Sequence, residues 1–105
     1  MDVVAERKLF VTFADGQSSE VHLRIGLPRP HPEIDWVCPV SAKGLRLWQG
    51  PTNVMGIDSW QALSLAMRLM RTMLSAEVEE GATFHWEDGE HAIGIDDLFE
   101  WRART

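Results

Sequence analysis

Residues 85–91 read His-Trp-Glu-Asp-Gly-Glu-His, two imidazoles and three carboxylates within seven positions, the side-chain types that bind a divalent ion. What they can do depends on the backbone that carries them. Asp88-Gly89 is a hairpin-turn pair, and a two-residue turn there sets Trp86 opposite His91 and Phe84 opposite Ile93. His85 and His91 then leave opposite faces of the ribbon and cannot share a tetrahedral ion. The reading is a polar turn, with no metal site and no cofactor. Cys38 beside a His and an Asp would be a nucleophile. It stands between Val37 and Pro39 in an extended segment, with no helix N-terminus to lower its pKa, and reads as a buried apolar residue. Asp35 and Asp58 could work as an acid and base pair, but a turn and a helix cap are simpler uses for them. No residue is assigned a catalytic role.

Five tryptophans without a tyrosine could line a pocket for a flat or cationic ligand. Trp60 and Trp86 fall on apolar faces and are expected in the core, whereas Trp48 and Trp101 are undetermined, and an exposed Trp with Arg46 or Arg102 beside it would be the anchor of any binding surface.

The element that must position all of these is a helix over about residues 58–79. Its helical spacing lines up Trp60, Leu63, Met67, Met70 and Leu74, flanked by Ala62, Leu65, Ala66, Leu69 and Met73. An ordinary surface helix carries an apolar stripe of about 100°; here the arc is roughly twice that, so one sheet face cannot cover it. Phe84, Trp86, Ile93, Leu98, Phe99 and Trp101 are expected to close the second side, the rival being a homodimer. Asp58 is the expected N-cap with Gln61 three residues on, and Gly81 the expected stop. Glu77, Glu79 and Glu80 oppose the helix dipole, so the last turn should fray or meet a cation.

Before the helix, residues 3–13 and 21–25 alternate as strands. A three-residue loop over residues 16–18 would pair Phe13 with Val21, Val11 with Leu23 and Leu9 with Ile25, keeping all six on one face. Residues 26–33, with prolines at 28, 30 and 32, form a stiff connector. Residues 35–42 form a third strand that Pro39 confines to an edge or a bulge, and residues 45–48 a short fourth, followed by a loop. After the helix come the hairpin and a helical turn capped by Asp96. The expected architecture is therefore α+β: an antiparallel meander of about four strands, one long core helix, then a C-terminal hairpin and short helical turn, in a single domain over residues 1–105.

The net charge of −6 is unevenly spread. Residues 1–76 carry seven acids against eight bases, net +1, while residues 77–105 carry nine acids against two bases, net −7. An acidic field of that kind opposes a phosphate backbone, so nucleic-acid binding is not expected, and it permits a basic protein partner. The first ten residues mix acids and bases, there is a single cysteine, and Arg68 and Arg71 interrupt the longest apolar stretch. These features point to a cytoplasmic protein that stays out of membranes.

Arg24-Ile25-Gly26 followed by prolines, then Asp35-Trp36, Cys38-Pro39, Gly44-Leu45 and the run from Gly56-Ile57-Asp58-Ser59 through Gln61-Ala62-Leu63 to Leu65-Ala66, together resemble an uncharacterised family of small bacterial proteins. The resemblance spans about residues 24–66 and implies a bacterial, cytoplasmic single domain without an assigned activity. Function is therefore unknown from sequence. The leading expectation is a non-enzymatic interaction module that offers Glu79, Glu80, Glu87, Asp88, Glu90 and Trp101 to a basic partner. The alternative is a small-molecule binding protein or weak hydrolase with a pocket near the helix start built from Asp35, Cys38, Trp48 and Asp58.

Overall fold

The computed structural model describes residues 1–33, 35–87 and 89–100. Alternating apolar residues form β1 (Val3–Thr12) and β2 (Ser18–Gly26), which pair antiparallel. Leu9, Val11, Phe13, Val21, Leu23 and Ile25 are all buried, so they share the inner face. Their pairing differs from expectation, since Leu9 lies opposite Val21 rather than Ile25, a shift of four residues. An even shift preserves the faces. The three-residue loop is residues 14–16: the Phe13 amide donates to Gln17 O at 2.8 Å and the Gly16 amide to Phe13 O at 2.9 Å. Gly16 takes φ +86°, the left-handed position that closes such a loop, and Asp15 Oδ1 accepts the Gln17 amide at 2.9 Å. Turn chemistry set the register, and maximal overlap of apolar residues did not.

The proline stretch includes a short strand, β3 (Arg29–Pro30), which turns back onto β4 (Trp36–Lys43). On that flank β3 pairs with Trp36 and Val37, and β2 pairs from Val40 onward. Pro39 falls in the gap between the two ladders, where a missing amide hydrogen costs nothing. On the other flank β5 (Thr52–Gly56) pairs with residues 36–40, so β4 is internal and not the expected edge. The strand expected at residues 45–48 is absent and β5 takes its place. The reason is tertiary: the Arg46 and Leu47 amides are taken by Glu77 Oε1 from the end of the helix, which leaves them none for a ladder.

Helix α1 (Ser59–Glu79) starts as read, with Asp58 Oδ1 accepting the Gln61 amide at 2.8 Å and Gln61 Oε1 accepting the Ile57 amide at 2.8 Å. It ends in a Schellman turn, with Gly81 at φ +95° and the Ala82 amide donating to Glu77 O at 3.0 Å. It packs across β4 and β5. The buried line is Ala62, Ala66, Met70, Leu74 and Glu77, so the expected line is rotated. Trp60, expected in the core, is 81% exposed, because two residues before Ala62 means about 200° around the axis. Small residues toward the sheet let the helix backbone approach it closely, with Leu65, Leu69 and Met73 half-buried on one flank and Leu63 and Met67 at the margin of exposure on the other.

β6 (Thr83–His85) pairs with β1, and β7 (Ala92–Ile93) with β6 in the expected register, Phe84 opposite Ile93 and the Trp86 amide donating to His91 O at 3.0 Å. The C-terminal hairpin thus extends the main sheet, whose described strands number seven rather than about four, in the order β3-β4-β2-β1-β6-β7 with β5 on β4. The fold is α+β, an antiparallel sheet with one long helix and the short α2 (Asp96–Phe99). Asp96 does not cap α2; Ile95 holds the cap position without a side-chain bond, and Asp96 pairs with Arg71 instead. Among the described residues no helix is long and apolar enough to cross a membrane.

Candidate functional site

The last turn of α1, expected to fray or meet a cation, is helical to Glu79, and among the described residues no cation pairs with its carboxylates. Glu77 is 2% exposed, and its Oε1 accepts the Arg46 amide at 2.8 Å and the Leu47 amide at 2.7 Å. Two backbone dipoles thus supply the compensation that the helix end withholds. The Arg46 guanidinium is drawn away to Asp15 Oδ2 at 2.9 Å and lies 3.8 Å from the Phe13 ring centroid. This knot joins the β1–β2 turn, the loop after β4 and the helix end, and it is structural.

A cleft of about 250 Å³ opens on the Met67 flank of α1. Leu23, Ile25, Met67, Met70, Leu98 and Phe99 line its walls, and Ala5, Glu6, Arg7, Trp86 and Asp97 complete its lining. The C-terminal segment forms one wall because Arg71 pairs with Asp96 and, at 3.1 Å, with Glu100. Phe84 is in the core and Trp86, Ile93, Leu98 and Phe99 pack against it, but the second apolar side of α1 that they were expected to close stays partly open, with Leu63 and Met67 at the margin of exposure; Trp101 lies outside the described residues. Arg7 is the residue that sequence reading missed. It follows the inward parity of Leu9, Val11 and Phe13, and its Cζ stands 4.4 Å from the Trp86 ring centroid. A cation interrupting an apolar alternation was the available signal.

A third feature is apolar surface at the start of α1. Trp60 is accompanied by Ile57, 69% exposed, and Met55, 57% exposed on β5. Among the described residues β5 pairs only with β4, so its outer edge is open.

The residues singled out from sequence are scattered. Asp35 borders a shallow depression with Glu33, Met55, Gly56, Ile57 and Gln61 near the helix start. Cys38 is fully buried under the sheet, its Sγ donating to Gly26 O at 3.3 Å, and burial pushes its thiol pKa up. Trp48 is half-buried, its Nε1 donating to Thr52 Oγ1 at 3.0 Å, and Asp58 is engaged as the helix cap. Neither Cys38, Trp48 nor Asp58 borders the depression that Asp35 does. Glu79 and Glu80 are exposed where α1 ends, while Glu87 and Glu90 are exposed beyond the far end of β6, about 17 Å of extended chain away. Asp88 and Trp101 lie outside the described residues. His85 is half-buried, with a buried Nδ1 that has no hydrogen-bond partner among the described residues, and His91 stands opposite Trp86 on the other parity. Among the described residues no three His, Cys, Asp or Glu side chains are grouped so as to hold a metal ion.

No curated protein and no solved structure matches the chain. A family model described as a domain of unknown function, DUF6968, matches residues 5–96. That match takes in every strand from β2 to β7, all of α1 and most of β1, and the chain belongs to the DUF6968 family.

Proposed function

We propose that the protein is a non-enzymatic interaction module whose contact surface is the open edge of β5 together with Ile57 and Trp60, and that it pairs there with a second copy of itself. The observation that carries this reading is the 81% exposure of Trp60, four residues after the end of a strand that among the described residues pairs only with β4. Exposed tryptophans anchor interfaces, and a contiguous apolar patch on a small protein marks a contact site. β5, Thr-Asn-Val-Met-Gly, carries no charge and no proline, the usual guards of an exposed edge. Antiparallel addition of a second β5 would satisfy the amides of both edges and bring the two Trp60 patches into one isologous contact. Of the nucleophile and acid candidates, Cys38 is buried and Asp58 caps α1, and neither meets Asp35 at its depression, so the three form no catalytic set. Sedimentation velocity over a concentration series tests the reading: wild type should dimerise, and Trp60→Asp should sediment as a folded monomer. A wild type that stays monomeric at every attainable concentration would sink it.

A second reading keeps the basic partner. Glu79 and Glu80 at one end of β6 and Glu87 and Glu90 at the other give such a partner two separated footholds. Reversal of all four to lysine should abolish binding to a defined basic protein such as a histone-like polypeptide, and undiminished binding would reject this arrangement.

A further inference from the structure

We infer that the cleft between α1, the inner face of β1 and β2, and α2 is a binding site for a small apolar carboxylate, with Arg7 holding the carboxylate and the Met67–Met70 wall holding the apolar body. Arg7 sits on β1. It lies opposite Leu23 in the β1–β2 ladder and shares the parity of the buried Leu9, so an exposed cation stands on the core side of the sheet just past the point where the core ends. Its guanidinium lies over Trp86 at 4.4 Å. Stacking uses the face of the guanidinium and leaves its in-plane N–H donors available, the geometry that receives a carboxylate edge-on.

Charge complementarity then selects the ligand. Among the described residues Arg7 has no carboxylate within ion-pair distance, whereas of the two acids at the rim Glu6 is paired with cationic side chains and Asp97 is turned to a backbone amide. Glu6 Oε2 lies 3.1 Å from His22 Nε2 and 3.7 Å from Arg24 Nε, and Asp97 Oδ2 accepts the Gly94 amide at 3.0 Å. The walls are apolar, and two of their side chains, Met67 and Met70, are pliable thioethers that adapt to an irregular guest. The volume of about 250 Å³ is below the roughly 300–1,000 Å³ of drug-sized sites, which restricts the ligand to a short acyl or single-ring acid. No bond is made or broken; the site binds.

The probe is octanoate, titrated into the full-length protein labelled at its methionine methyls, with 1-octanol as the uncharged control. Octanoate should saturate, shifting the Met67 and Met70 methyl signals while leaving Met55 unmoved. Arg7→Gln should weaken octanoate by about tenfold to a hundredfold, the value of one charge-assisted contact, and leave 1-octanol binding unchanged. Ala5→Phe, which fills the cleft from the strand side, should abolish both, and its unchanged thermal midpoint would establish that it still folds. Failure of octanoate to bind, equal octanoate affinity in Arg7→Gln, or shifts confined to Met55 would each overturn the assignment. Arg7→Gln leaves Trp60 and β5 in place, and Trp60→Asp leaves Arg7 in place, so the dimer reading stands or falls separately.

Discussion

A carboxylate in the final turn of a helix faces the negative end of the helix dipole and has to be compensated from elsewhere. At Glu77 the compensation is a pair of backbone amides, and it is made in a site that water barely reaches. Glu77→Ala should cost about 2–4 kcal/mol by urea unfolding, because it strands two donors; Glu77→Gln, which keeps an acceptor oxygen, should cost about 1 kcal/mol. Asp15 illustrates a different balance. The Gln17 amide first, then the Arg46 guanidinium, hold its carboxyl pKa below the ordinary value. A depressed folded-state pKa contributes stability that is present above the unfolded value and is lost as pH falls below about 4. Asp15→Asn should therefore lower the unfolding midpoint at neutral pH and converge with wild type in acid. A constant gap at all pH values would reject the assignment. Asp15-Gly16 was legible as a turn, and Glu77 as an electrostatic problem. The amides that solve it come from residues thirty positions earlier, and no local pattern carries that information.

Among the elements, α1 was the most legible and its orientation the least. Its bounds follow from Asp58, Gln61 and Gly81, whose hydrogen bonds are local. Its wide apolar arc was legible as well, but an arc that wide has no unique centre, and the sheet chose the alanine side. Ala66→Met should cost about 1–3 kcal/mol through overpacking against the sheet, while Trp60→Ala should stay within about 0.5 kcal/mol of wild type. The reverse ranking in a denaturation series would mean that the periodic line through Trp60 faces inward after all. The strands divide in the same way. β1, β2, β4 and the C-terminal hairpin are legible from alternation and turn pairs, whereas β5 has no strand signature, because Thr-Asn-Val-Met-Gly has only one inward apolar residue, Val54, that joins the core.

For the molecule as a whole, the interface proposed at Trp60, Ile57 and the β5 edge would have little charge in it. Its dimerisation constant should therefore change little between low and high salt, whereas binding of a basic partner through Glu79, Glu80, Glu87 and Glu90 should collapse. The −7 balance of residues 77–105 was plain in the sequence, yet its distribution was not: β6 carries the acids of the hairpin tip away from those of the helix end, and Arg71 draws in Asp96 and Glu100. The sequence by itself determined the α+β class, the helix and its caps, the inner faces of the first hairpin and the register of the last, since each depends on periodicity or on residues a few positions apart. Only the tertiary structure decided which helix face is buried, that the final hairpin joins β1, that β4 is internal, and that Arg7 meets Trp86 at a cleft. Those outcomes depend on pairings between segments distant in the chain, where many registers satisfy the same local pattern and packing selects one.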